Sequence, residues 1–146
     1  MVRRELAKAN RTKYLRLSFD LVWQRIAEIE YVHTIDATLV LDRNQLRDIT
    51  LEDDDLMREM LATLIEDTSK QLVLLDSAIR EQDSDRCKRL AHYCKGACAN
   101  VGANAAADVL HRMELQAQSR NFSSCAESLA TLGGELQRLI LAAESL

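Results

Sequence analysis

No proline interrupts the 146 residues of this chain. Proline fixes φ, removes an amide donor and clashes with the preceding turn, so it ends or kinks most helices it enters. Its absence leaves a chain of single-domain length free to run in long helices. The apolar content points the same way. Hydrophobic residues make up 47% and aromatics only 4%, so the apolar mass is largely Leu and Ala, both strong helix formers. These features imply an all-α fold, and the length is enough to bury one core without metal or disulfides.

Periodicity divides the chain further. Leu15, Phe19, Val22, Ile26 and Ile29 recur at spacings of four and three, which predicts a long amphipathic helix over residues 3–33. The stretch from Thr34 to Asp42, "TIDATLVLD", loses that period and reads as an extended connector, followed by a short helical turn from Arg43 to Asp48. A helix start is expected at "TLEDDD", with Thr50 as cap, Asp53 three residues on, and an acidic run suited to the positive end of the helix dipole. That helix should reach Glu81, with Leu56, Met60, Leu64, Leu72, Leu75 and Ile79 as its apolar stripe. Three more helices are expected at about Ser84–Val101, Asn104–Gln118 and Ser123–Glu144. Asp83 or Ser84 caps the first and Gly102 ends it, while the Gly133-Gly134 pair is a weak point in the last. The architecture implied is an antiparallel up-and-down four-helix bundle over residues 39–146, with an additional long N-terminal helix and connector over residues 1–38.

Charge and cysteine content narrow the function. The net charge of −4 gives no bulk attraction to nucleic acid or acidic membranes. Residues 1–34 are the exception: seven basic side chains against four acidic ones leave that segment at +3 and the remainder at −7. The apolar seam of residues 15–29 suggests packing on the bundle or self-association. No apolar run approaches a membrane span, and no apolar stretch of secretory type follows the early basic residues. Cys87, Cys94, Cys98 and Cys125 lack a secreted disulfide pattern and read as free thiols of a cytoplasmic protein. Met1 favours a stand-alone protein.

The segment Ala91–Ala103, "AHYCKGACANVGA", concentrates the chemistry. On a helix turning about 100° per residue, Cys87, Cys94 and Cys98 fall about 200–240° from His92, among Leu90, Ala91, Ala97 and Val101. They belong to the buried stripe as small apolar fillers. Asp85, Lys88, Arg89, Lys95, Gly96, Ala99 and Ala103 cluster within about 60° of His92. That face is exposed, basic near the histidine and bare beyond it. A mid-helix glycine at position 96 costs about 1 kcal/mol relative to alanine, a cost that close approach of another surface to His92 would explain.

The pattern His92-x-x-Lys95-Gly96, with Ala97 next and Gly102 further on, resembles the signature of histidine-containing phosphotransfer (HPt) domains. Cys94 stands where that family usually has leucine. "MELQAQ" from Met113 resembles its Leu-Glu on the following helix, and "LVLDRNQLRDITLEDDDLMREMLATLIED" resembles its N-terminal pattern, with Leu64 where phenylalanine is common. The likeness covers about residues 39–146, and the glycine pair of the last helix departs from it. The resemblance implies a phosphorelay intermediate without enzymatic activity of its own. His92 would take a phosphoryl group from a receiver-domain aspartyl phosphate and pass it to another receiver, neutral imidazole being a good nucleophile near pH 7. Lys95 would stabilise the transferring oxygens, and Gly96 would admit the receiver's loops. Lys88, Arg89, Ala99 and Ala103 would meet the partner, a receiver domain or a hybrid sensor kinase. Mg²⁺ would come from the receiver, and no Gly-rich nucleotide loop is present, so no cofactor of the chain's own is expected. Two other readings compete. One is a helical adaptor that binds receivers or kinases without transferring phosphate. The other is a zinc site built from the cysteine face with Cys125 or His111. Glu114 reads as a solvated charge or part of a polar rim, and His33 and His111 as surface or structural residues.

Overall fold

A computed structural model of the chain describes residues 40–146. The expected N-terminal helix, its apolar seam and most of the connector lie outside the described residues. Within them the fold is all-helical: α1 (Arg43–Ile49), α2 (Asp54–Arg80), α3 (Ser84–Val101), α4 (Asn104–Gln118) and α5 (Phe122–Glu144). Helices α2 to α5 pack in chain order and α5 closes back on α2, giving the four-helix bundle, with α1 set against α2 and α3.

Four of the five helices start on side-chain caps, and α4 starts at Ala103 without one. Asp42, Asp53, Asp83 and Asn121 each accept a hydrogen bond from the amide three residues on, satisfying one of the free donors of the first turn. Thr50 differs from the expectation. It is buried, and its hydroxyl donates to the Leu46 carbonyl 2.7 Å away, so it closes α1 while Asp53 opens α2. Asp54 and Asp55 do fall in the first turn of α2, as the dipole argument requires.

The turns share one geometry. Leu51, Gln82, Gly102 and Arg120 adopt positive φ (52°, 53°, 88° and 57°) after their helices, and Glu52 follows Leu51 at 63°. A backbone amide then reaches five residues back: Glu52 to Arg47, Asp83 to Ala78, Ala103 to Cys98, and Asn121 to Gln116. In the three turns of the bundle, the residue after the left-handed one is the N-cap of the next helix. This left-handed closure reverses the chain in two or three residues and keeps successive helices antiparallel. Only Gly102 is forced to be glycine by contact as well, since a Cβ there would meet the Asp42 carbonyl oxygen at 2.8 Å.

The core is mainly leucine, with Leu61, Leu72, Leu110, Leu132 and Leu136 all essentially inaccessible. Leu64, Leu72, Leu75 and Ile79 face it as expected, but the first turns of α2 do not. Leu56 is exposed and Met60 only partly covered, while Met57, Leu61 and Ile65 carry the contact. Two apolar ladders run side by side there, and the one continuous with Thr68 and Leu72 wins. The glycine pair does not interrupt α5, which runs unbroken through Gly133 and Gly134. Buried Leu129, Leu132, Leu136 and Leu139 hold it on both sides, outweighing about 1 kcal/mol of lost propensity per glycine. No helix among the described residues is long and apolar enough to cross a membrane.

Candidate functional site

Asp83 starts α3 and Gly102 ends it, so His92 falls in the middle of a helix anchored at both ends. The inward face is cysteine and alanine: Cys87, Ala91, Cys94 and Cys98 are all buried. Burial pushes the thiols of Cys87 and Cys98 up to about 11 and that of Cys94 up to about 12, so these are neutral packing groups and poor nucleophiles. All four cysteines are free. Among the described residues no cluster of three or more His, Cys, Asp or Glu side chains is arranged to hold a metal ion.

The outward face carries Lys88, Arg89, His92, Gly96 and Ala99, all exposed as the helical projection requires. Ala103 does not join them. It is fully buried, because the left-handed turn at Gly102 ends the helix and swings the next residue inward as the N-cap of α4. The space above Gly96 is empty, with nothing within 4 Å of where a Cβ would be. Nothing inside the fold requires glycine there.

His92 is 68% exposed, yet its ring is held. Nδ1 lies 2.9 Å from Oε1 of Glu114, which α4 presents from across the α3–α4 interface. Lys95 Nζ donates to the other oxygen, Oε2, at 2.6 Å. Glu114 is therefore no solvated charge: its side chain is 15% exposed and it bridges the two residues the sequence motif singles out. The Lys95 hydrogen bond, helped by the one from His92 and opposed by desolvation, holds the Glu114 carboxyl below its ordinary range. An ionised carboxylate only accepts, so the proton between Glu114 and the ring belongs to Nδ1, and in the neutral tautomer Nε2 is the nitrogen with the free lone pair. Exposed Tyr93 flanks the site on one side, its hydroxyl donating to Asp67 of α2, and exposed Leu115 follows Glu114 on the other. His111 is an exposed residue of α4 and makes no ring hydrogen bond among the described residues.

Glu114 is the site residue that sequence reasoning undervalued, reading it as a solvated charge or part of a polar rim. Its "MEL" context resembles the family pattern, but its contact with His92 depends on how α4 is rotated against α3, which no local spacing reports.

The bundle thus presents an exposed histidine held by a carboxylate of the neighbouring helix, with a lysine one turn on sharing that carboxylate. The family model described as Hpt domain matches residues 59–143, more than half of the chain, and the chain belongs to that family. Its role is therefore histidine phosphotransfer in a phosphorelay, and Hpt domains do this in exchange with receiver domains and kinases. No curated protein and no solved structure matches the chain.

Proposed function

We propose that His92 is the phosphorylated residue, accepting a phosphoryl group on Nε2 from a receiver's aspartyl phosphate and passing it to a second receiver. The observation that supports this most is the Glu114 bond to Nδ1, which selects the tautomer whose lone pair is on Nε2 in an exposed side chain. In the transfer the bond between phosphorus and the aspartyl oxygen breaks, and its electron pair stays on the receiver's carboxylate. The Nε2 lone pair forms the new bond to phosphorus. Nδ1 keeps its proton, so the ring gains positive charge as the transfer proceeds, and Glu114 stabilises that charge. Lys95 spends one N–H on Glu114, and its other two are available to the phosphoryl oxygens one turn from the ring. Lys88 and Arg89 add to the positive field on that face, and with Gly96 and Ala99 they form the contact for the receiver.

The Mg²⁺ that such a transfer uses is assigned to the receiver. The carboxylate at His92 is already committed to two donors on this chain, and a Mg²⁺ site needs carboxylates free to bind it. A carrier working this way has no nucleotide site of its own. Four unpaired cysteines suit the reducing cytoplasm as its place of work.

The test uses a panel of receiver domains, each phosphorylated with a small-molecule donor and mixed with this chain and Mg²⁺. The native chain should acquire acid-labile, base-stable phosphate from at least one receiver, and His92→Gln, folded to the same helicity, should acquire none. Phosphate on the Gln variant would remove His92 from the reaction. A folded native chain that no receiver labels would favour a non-transferring adaptor.

A further inference from the structure

Helix α5 packs on α2 and α4, and its remaining face carries no helix among the described residues. Ser128 marks the α4 side by its bond to Gln116. On the helical projection Gly134 falls about 120° and Leu141 about 140° from Ser128, turned away from the core. Leu141 is 61% exposed, and the nearest described atom to a Cβ at Gly134 would be Arg138 Nη1, at 4.0 Å. On α2, Val73 is 39% exposed. It lies about 60° from Arg58, which donates to the Leu146 carbonyl beyond α5, and about 120° from Asp67, which holds Tyr93 of α3. Val73 therefore borders the same open face. Ala130, Gly134, Gln137 and Leu141 recur on it at spacings of four, three and four. Leu15, Phe19, Val22 and Ile26, outside the described residues, recur at the same spacings.

The chain enters the bundle beside the end of α5. Val40 and Leu41 are buried, the Asp42 amide donates to the Gly102 carbonyl at 2.8 Å, and Arg43 donates to Ser145 Oγ at 2.7 Å. Residues 34–39 can span about 20 Å, so the amphipathic segment before them is tethered close to the α5 terminus. A segment running toward this end lies parallel to α5. Its basic half, Arg3, Arg4, Lys8, Arg11, Lys13 and Arg16, then falls toward the opposite end of the bundle. That end carries Asp76, Glu81, Asp83, Asp85 and Glu127 against Arg80, Arg86 and Arg120. Charge matches over the whole chain too, at +3 for residues 1–34 against −7 for the rest. A short tether gives a roughly millimolar effective concentration, which favours docking within one molecule over pairing with a second copy. We propose that residues 15–29 dock along the open face of α5 in the same molecule, setting their apolar seam against Ala130, Gly134 and Leu141.

The test uses the full chain and its own probe. Trp23 is the only tryptophan and sits beside Val22 of the seam, so its fluorescence reports docking. In the native chain Trp23 should emit at shorter wavelength than in urea and resist acrylamide, at concentrations where sedimentation shows a monomer. Leu141→Glu and Gly134→Glu, each with native helicity, should shift the emission to the red and raise quenching severalfold; if one does not fold, the other gives the reading. Leu74→Glu is the control. Leu74 is 41% exposed and lies within about 20° of Asp67, on the α3 side of α2, so its substitution should change neither signal. A native Trp23 as quenchable as in urea overturns the proposal. Protection that is lost on dilution to monomer also overturns it and assigns the segment to a second copy. Protection that survives both α5 substitutions, or that Leu74→Glu removes equally, places the segment elsewhere and overturns it as well. No receiver enters these measurements, so the carrier reading stands or falls separately.

Discussion

Two glycines on α3 illustrate how differently one residue type can be required. At Gly102 the backbone is left-handed and a Cβ would sit 2.8 Å from the Asp42 carbonyl oxygen. Gly102→Ala should therefore lose more than about 1 kcal/mol of stability, from the strained φ alone before the contact is added. At Gly96 the backbone is helical and the space is open. Gly96→Ala should gain roughly 1 kcal/mol from helix propensity and slow transfer from receivers, because the added methyl group occupies the surface where they approach. Urea unfolding and transfer kinetics on the two variants check both halves. A Gly96→Ala chain that is more stable and equally fast would mean that no partner needs the gap. The same residue scale shows what was legible at the site. His92, Lys95 and Gly96 share one helix face, so their spacing alone brings them together. Glu114 comes from a neighbouring helix, and its part is visible only once α3 and α4 are packed. Removing it by Glu114→Ala should free the ring and slow transfer by roughly a hundredfold, with helicity unchanged; an unaltered rate would show that the ring needs no orientation.

The helices were legible in the sequence wherever a cap or a left-handed residue marks an end by its chemistry. Asp83 and Gly102 bound α3 for that reason. The errors fall where two signals compete. Thr50 can cap a helix, but with its hydroxyl on the Leu46 carbonyl it ends one instead. Leu56 and Met60 begin a plausible stripe, but it lies beside the ladder that faces the core. Gly133-Gly134 weakens α5 locally, and the leucines around it override that weakness. The turns carry a testable excess of strain. Gln82 holds φ 53° with a Cβ, where left-handed backbone costs a residue other than glycine about 1 kcal/mol. Gln82→Gly should thus raise stability by up to about that amount, seen as a higher urea midpoint with the transfer rate unchanged. A lower midpoint would mean that the Gln82 side chain contributes more than its backbone strain costs.

At the scale of the whole molecule the bundle topology was the most legible feature, because four apolar periods separated by turns of two or three residues leave few other ways to bury them. Stability depends on pH at both ends, through hydrogen bonding at the acid end and burial at the alkaline one. The Glu114 carboxyl is held below its ordinary value of 4.5, so its contribution is fully present above that value and is lost as pH falls through the lowered one. The thiols behave oppositely. Cys87, Cys94 and Cys98 are raised from 9.0 to about 11, 12 and 11. Between the unfolded and folded values the unfolded chain has lost these protons and the native chain keeps them. Stability from this source is complete below pH 9.0 and declines as pH rises toward the folded values. In the native bundle at about pH 8, thiol reagents should titrate almost nothing, and unfolding in urea should release all four cysteines. The urea midpoint should then fall steadily above about pH 9. Other groups titrate in that range, so the assignment needs the Cys94→Ala/Cys98→Ala chain. It should be less stable at neutral pH, having lost two packed sulfurs, and its midpoint should fall less steeply through the alkaline range. A slope as steep as that of the native chain would place the alkaline loss in other groups and leave the cysteines as packing alone.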